Sequence, residues 1–311
     1  MTRNLWLSAV VLCGVAACMG LASCTSIASG ASAGAGGYSA GETMGTVQDD
    51  RLREISGMAA GRTTPGVIYV HNDSGGEARI FALDESGITR AVVNISGASA
   101  RDWEDIAAFR HNNTGYLLIG DTGDNTASVT RHSLFLIQEP QIIAESGVAL
   151  ELHTPLISRI DYQLEGGPVD CEALMVDAAN QRVILITKVL FGAAGIYELD
   201  LSPWLSSTEN NSNRDRVLVA ERIGETWVNA VTGGDISPDG TRMVVSTYGP
   251  AWEWVRGENE TWEDALQDRP VRIDIPRRRQ GESICYSADG QAIIVSSEGR
   301  NAPLYKVQRS D

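Results

Sequence analysis

DWEDIAAF at 102–109, followed by LLIGDTGDN at 117–125, decides how this chain folds. An acidic residue opens a short apolar run. A second apolar, β-branched run then ends in polar, glycine-containing sequence. The same order returns in REISGMA (53–59) with GVIYVHND (66–73), and in CEALMVD (171–177) with RVILITK (182–188). GGDISPD (233–239) with RMVVSTY (242–248) and GESICYS (281–287) with AIIVSSE (292–298) complete the series. Runs of this length and composition, bounded by Gly, Pro, Asn and Asp, read as β-strands.

Each pair is followed by one or two further strand signals, among them ARIFALD (78–84), SLFLIQEP (133–140), GIYELD (195–200), VRIDIP (271–276) and PLYKV (303–307). The opening acids Glu54, Glu104, Glu172, Asp235 and Glu282 lie 50, 68, 63 and 47 residues apart. Four strands repeated at about 40–50 residues are the signature of propeller blades. The expected fold is therefore an all-β β-propeller with five blades, the longer gaps leaving room for a sixth. The last repeat holds three strands, so GTVQDDR near residue 45 is expected to close the ring. A β-sandwich would explain the strands but not the acid at the head of every unit. The one helical signal of note is ETWEDALQD (260–268), and it is short.

Upstream of the repeats, Arg3 and the apolar stretch before LASC (21–24) read as an export signal. LASC resembles a bacterial lipobox, which makes Cys24 the expected lipidation site. Residues 25–45 are rich in Ser, Gly and Ala and read as a flexible tether. The expected organisation is thus signal peptide 1–24, tether 25–45 and a β-propeller domain over 46–311. It would be a monomeric lipoprotein of the bacterial cell envelope, anchored to the membrane at Cys24 and facing the periplasm or exterior.

The chain carries a net charge of −15, and its only lysines are Lys188 and Lys306. Nucleic acid is excluded as a partner, because phosphate neutralisation needs Lys and Arg. Cys171 and Cys285 follow the signal, at matching places in non-neighbouring repeats. They read as two buried thiols or, in an oxidising compartment, a disulfide. Zinc spacing is absent, and His71, His111, His132 and His153 form no pair.

In a propeller the first strand of each blade lines the central channel. The start of that strand and the end of the antiparallel second strand emerge at one face. Glu54, Glu104, Glu172, Asp235 and Glu282 are therefore expected to converge on a funnel. Carboxylates so placed either bond neighbouring amides and hold the blades in register, or bind a hard cation such as Ca²⁺. The second-strand ends add Asn72, Asp73, Asp121, Asp124, Asn125, Tyr248, Glu298 and Arg300 as expected ligand contacts. The GDTGDN acids can equally cap turns. Lys188 reads as a point charge toward an anionic group or as a solvated strand end. If the funnel is catalytic, Glu104, Asp105, Glu172 and Lys188 are the candidate catalytic residues, acting in metal-assisted hydrolysis of a small ester or phosphoester. The alternative is a non-catalytic ligand- or protein-binding scaffold, with SSTENNSNRD (206–215) displayed to a partner.

The motifs HNDSG, DWEDIA, LLIGDTGDN, GGDISPDG and GESI together resemble uncharacterised bacterial secreted propellers similar to the SdiA-regulated and phytase-like (esterase-like) families. The resemblance spans most of 50–308. It implies a propeller fold with a metal, Ca²⁺ by analogy, in the central funnel.

Overall fold

The computed structural model describes residues 37–142, 148–205 and 216–310. The signal, Cys24, most of the tether and the 206–215 segment lie outside them. The chain first lays down β1 (Glu42–Thr46), then a blade made of β2 (Ile55–Ala60), β3 (Val67–Asn72), β4 (Arg79–Asp84) and β5 (Thr89–Ser96). The second blade is β6 (Trp103–His111), β7 (Thr114–Asp121), β8 (His132–Gln138) and, after an edge strand β9 (Leu150–Pro155), β10 (Ser158–Leu164). The third is β11 (Cys171–Asp177), β12 (Arg182–Thr187), β13 (Ala194–Asp200) and β14 (Leu218–Thr226), with the short helix α1 (Ser202–Leu205) before its last strand. The fourth is β15 (Val231–Ile236), β16 (Arg242–Thr247), β17 (Ala251–Val255) and β18 (Val271–Ile273), with α2 (Trp262–Ala265) between the last two. The fifth is β19 (Ser283–Tyr286), β20 (Ala292–Ser296) and β21 (Pro303–Gln308), completed on its outside by β1.

Five blades close a ring, because β2, β6, β11, β15 and β19 each pack on the next and β19 returns to β2. Five separate apolar clusters fill the five seams. Strands buried on both faces need no alternation, which is why ISGMAA of β2 and CEALMVD of β11 are buried throughout. The gap that admitted a sixth blade holds β9, which pairs in parallel with β5 and extends the first blade's edge. Blades two and three also join at their rims through the parallel pair β10–β14.

The closing strand sits earlier than expected. Glu42 pairs with Lys306, Thr46 with Pro303, and Tyr38 forms a further bridge to Arg309. The propeller therefore reaches back into the stretch assigned to the tether, because β21 offers a free edge that these residues cover. The Tyr38 and Tyr286 hydroxyls donate to one Glu253 oxygen at 2.6 and 2.7 Å, pinning this segment across the seam between blades four and five. Cys171 and Cys285 are free, buried thiols in different seams, and burial raises both well above the usual thiol range.

Candidate functional site

Strand register fixes what faces the axis. A one-residue irregularity follows Ile55 in β2, Trp103 in β6, Cys171 in β11 and Val231 in β15. These bulges bring Ser56, Glu104, Glu172 and Thr232 to equivalent positions, and the β19 register adds Glu282. The axial ring is thus three carboxylates and two hydroxyls. The hydroxyls act as blade clips: Ser56 donates to the Glu104 carbonyl at 2.6 Å and Thr232 to the Gly281 carbonyl at 2.9 Å.

Two residues earlier, on the same strand face, stand Glu54, Asp102, Asp170, Ala230 and Gln280. Four of their carbonyls anchor the ends of the second strands. Asp73 N donates to Glu54 O, Gly123 N to Asp102 O, Lys188 N to Asp170 O and Glu298 N to Gln280 O. The expected convergence of first-strand starts and second-strand ends therefore holds for Asp73, Lys188, Glu298 and, by register, Tyr248.

Two of the five expected ring acids are displaced. Glu54 lies in the upper, exposed layer. Asp235 lies three residues beyond its blade's ring position, Thr232, toward the other end of the channel. There it pairs with Arg62 at 3.3 Å and accepts the Tyr286 and Ile236 amides at 2.9 and 2.8 Å. Burial raises its carboxyl to about 6, with Arg62 opposing. Asp105 is fully buried as well. One carboxylate accepts the amides of Ile106 at 2.9 Å and of Leu174 and Gly234 at 3.0 Å, tying together the inner strands of blades two, three and four. It is a clamp below the funnel rather than a group at its mouth.

Around Glu104 the carboxylates crowd. Asp73, Asp102 and Glu104 form one set, and Glu104, Asp170 and Glu172 another, with one oxygen of each residue within 4.8 Å of the others in its set. Glu104 belongs to both. Burial, reinforced by Glu172 and Asp73, raises its carboxyl far above the usual range. Asp73 is raised to about 7 by burial and then by Asp102 and Glu282. Glu298 reaches about 8 through burial and its contact with Glu282. Lys188 donates to Glu172 at 2.6 Å and lies 5.4 Å from the centre of the Tyr248 ring. Burial raises Glu172 to about 8, with Lys188 opposing. Tyr248 and Gln280 donate to Glu282 at 3.3 and 3.0 Å.

The donor set fits a hard cation. All of its atoms are oxygens, and Asp73 Oδ1 is buried without a hydrogen-bond partner. Gly123 also leaves open the space beside Glu104 and Asp102 that a Cβ would fill.

The other expected contacts do different work. Asn72 accepts the amides of Arg53 and Glu54 and donates to the Arg51 carbonyl, bracing the entry to β2. Asp121 accepts the Arg101 and Asp102 amides and pairs with Arg101 at 3.1 Å. Asp124 caps its own loop through the Ser128 and Val129 amides, which hold its carboxyl low against the effect of burial. Asn125 is exposed. Arg300 lies outside the ring, 3.6 Å from Asp50. Asp102, Asp170 and Gln280 are the site residues that the repeat pattern did not single out.

These observations define a five-bladed β-propeller with an acidic funnel. No protein-family model matches the chain, and no curated protein does. Among solved structures it is similar to a gluconolactonase from Xanthomonas campestris at 10% identity, covering 89% of this chain and 91% of that one with a TM-score of 0.47. It is similar to a PQQ-bound aldose sugar dehydrogenase from Streptomyces coelicolor at 10% identity, 86% and 97% coverage and a TM-score of 0.46. The Dos1 propeller follows at 10% identity, 83% and 68% coverage and a TM-score of 0.38. Likenesses this distant carry no chemistry across; the blade assignment rests on register and seams.

Proposed function

We propose that this propeller is a divalent-cation-dependent hydrolase of an uncharged or weakly charged ester, held at the bacterial cell envelope by a lipid at Cys24. The observation that carries this reading is Glu104, shared between two carboxylate sets and facing the Lys188–Glu172 pair. Asp73, Asp102, Glu104, Asp170 and Glu172 would hold the cation, Ca²⁺ in the first instance. When bound it would polarise a carbonyl oxygen and acidify a water.

The chain's own residues supply the rest. Lys188 fixes the Glu172 carboxylate within the cation's set and offers a positive charge to an oxyanion. Tyr248 and Gln280 hold the Glu282 carboxylate in place. A phosphoester is the less suited substrate. Glu54, Asp73, Asp102, Glu104, Asp170, Glu172, Glu282 and Glu298 meet at the mouth, against Lys188 at Glu172 and Arg101 beside Asp102. The resemblance to phytase-like propellers supports the cation rather than a polyphosphorylated substrate.

The test is metal content, Ca²⁺ calorimetry and turnover of p-nitrophenyl acetate, a γ-lactone and p-nitrophenyl phosphate, with and without EDTA. Glu104→Gln is expected to weaken Ca²⁺ binding by roughly 100-fold or more and to abolish ester turnover, whereas Glu54→Gln retains both. Normal Ca²⁺ binding by Glu104→Gln would sink the central-metal reading. Tight binding with no turnover on any substrate would leave a non-catalytic binding propeller.

A further inference from the structure

The funnel mouth is lopsided. Blades one, two, three and five line it with carboxylates, and at its rim blades three and four also carry large apolar side chains. Leu190 and Phe191, in the β12–β13 loop, are 63% and 91% exposed; Trp227, between β14 and β15, is 75% exposed. Tyr248, at the end of β16, is 44% exposed. Lone exposed apolar residues are ordinary, but these come from three loops gathered at one place. Ala230 N donates to Val189 O at 2.8 Å and Asn229 Nδ2 to Gly192 O at 2.5 Å, fixing the Trp227 loop beside the Phe191 loop. Lys188, two residues before Leu190, packs over the Tyr248 ring. Tyr248 in turn donates to Glu282, so the apolar rim is continuous with the carboxylate ring.

We infer that this rim seats the apolar tail of an amphiphilic, uncharged acyl ligand whose carbonyl end lies at Glu104 and Lys188. The inference rests on the ester-hydrolase reading for what happens to the carbonyl, not for the seating of the tail. Charge argues against other occupants. Two copies meeting rim to rim would bring two acidic mouths together, and a membrane with anionic lipids would repel the same carboxylates. The chain enters the propeller at the opposite face as well, where Tyr38 bridges Arg309 beyond the end of β21. A neutral head with a hydrocarbon tail meets both halves of the mouth without a like-charge contact. An apolar surface of this kind rewards each methylene that it covers.

The test uses neutral, non-hydrolysable probes, N-acyl ethanolamides with two, four and eight acyl carbons. Their binding to the Ca²⁺-loaded full chain is followed by calorimetry. Affinity is expected to rise at least about tenfold from the shortest to the longest probe. The rise should flatten to within about twofold in Phe191→Ser/Trp227→Ser. Both residues are exposed, so the fold should be retained, as circular dichroism would verify. Val219→Ser, on the outer strand β14, should leave the rise intact. Glu104→Gln, tested in EDTA beside metal-free wild type, should also keep the chain-length dependence, so a failed hydrolase reading and a failed rim are told apart. Equal affinity at all lengths, or an unchanged rise in the double variant, overturns the inference. So does a dimer in sedimentation that the double variant dissolves.

Discussion

Gly123 shows how one backbone position can decide whether the funnel binds a cation. It follows Thr122, whose hydroxyl donates to the Cys171 carbonyl of the next blade at 2.7 Å, and its own amide is spent on Asp102 O. A Cβ there would meet Glu104 Oε1 and the Asp102 carboxylate. Its φ does not require glycine, so the constraint is the close approach of the two side chains. Gly123→Ala should therefore fold normally but push Glu104 away from Asp73 and Asp102. Calcium affinity is expected to fall roughly 10–100-fold, read by calorimetry beside circular dichroism. Gly76→Ala, where a Cβ meets nothing within 4 Å, is the control. Equal affinity in the two variants would mean that Glu104 does not depend on that cradle. In the sequence GDTGDN is conspicuous for its acids, yet Asp121 and Asp124 hold loops together and the intervening glycine makes room for the site.

At the scale of elements, the blades were legible because each begins with a first-strand, second-strand pair whose ends are chemically marked. Register was less legible. A bulge moves one residue across the strand without altering composition, so a search for acids finds Glu54 and Asp235 and passes over Ser56 and Thr232. The signal for the missed residues was present as D-x-E in Asp102–Glu104 and again in Asp170–Glu172. A strand's period of two places both acids of each pair toward the axis. The closing strand was misplaced by a few residues because Glu42–Thr46, flanked by Ser, Gly and Ala, has little apolar character of its own and is held by β21 and the Tyr38 contact. That dependence is testable. Tyr38→Phe removes one of two phenol donors from buried Glu253 and should cost about 1.5–3 kcal/mol. At roughly 2–4 °C per kcal/mol for a domain of this size, the fall in Tm is readable by calorimetry. An unchanged Tm would mean that β1 pairing alone closes the ring.

For the whole molecule, the funnel gathers carboxylates from blades one, two, three and five, so folding itself creates their repulsion. Burial and mutual proximity raise Asp73 to about 7 from 3.8, and Glu172 and Glu298 to about 8 from 4.5. The folded chain thus binds more protons than the unfolded chain between about pH 4 and 8. Stability from these groups is full below that window and is lost as pH rises through it. His71 works in the opposite sense. Its complete burial lowers its pKa to about 4 from 6.5, so its contribution is lost as pH falls through that range. The two effects overlap near pH 5, while above pH 6.5 the carboxylates act alone. A cation held by Glu104 and its neighbours would let them ionise without that penalty, releasing protons as it binds. The metal-free protein should therefore lose roughly 5–10 °C in Tm between pH 6.5 and 8.5. Millimolar Ca²⁺ should restore most of the loss at pH 8.5 while adding little at pH 5.5. A metal-free Tm that stays level or rises above pH 6.5 would show that the carboxylates are already relieved by solvent. The funnel would then lack the drive to take up a cation.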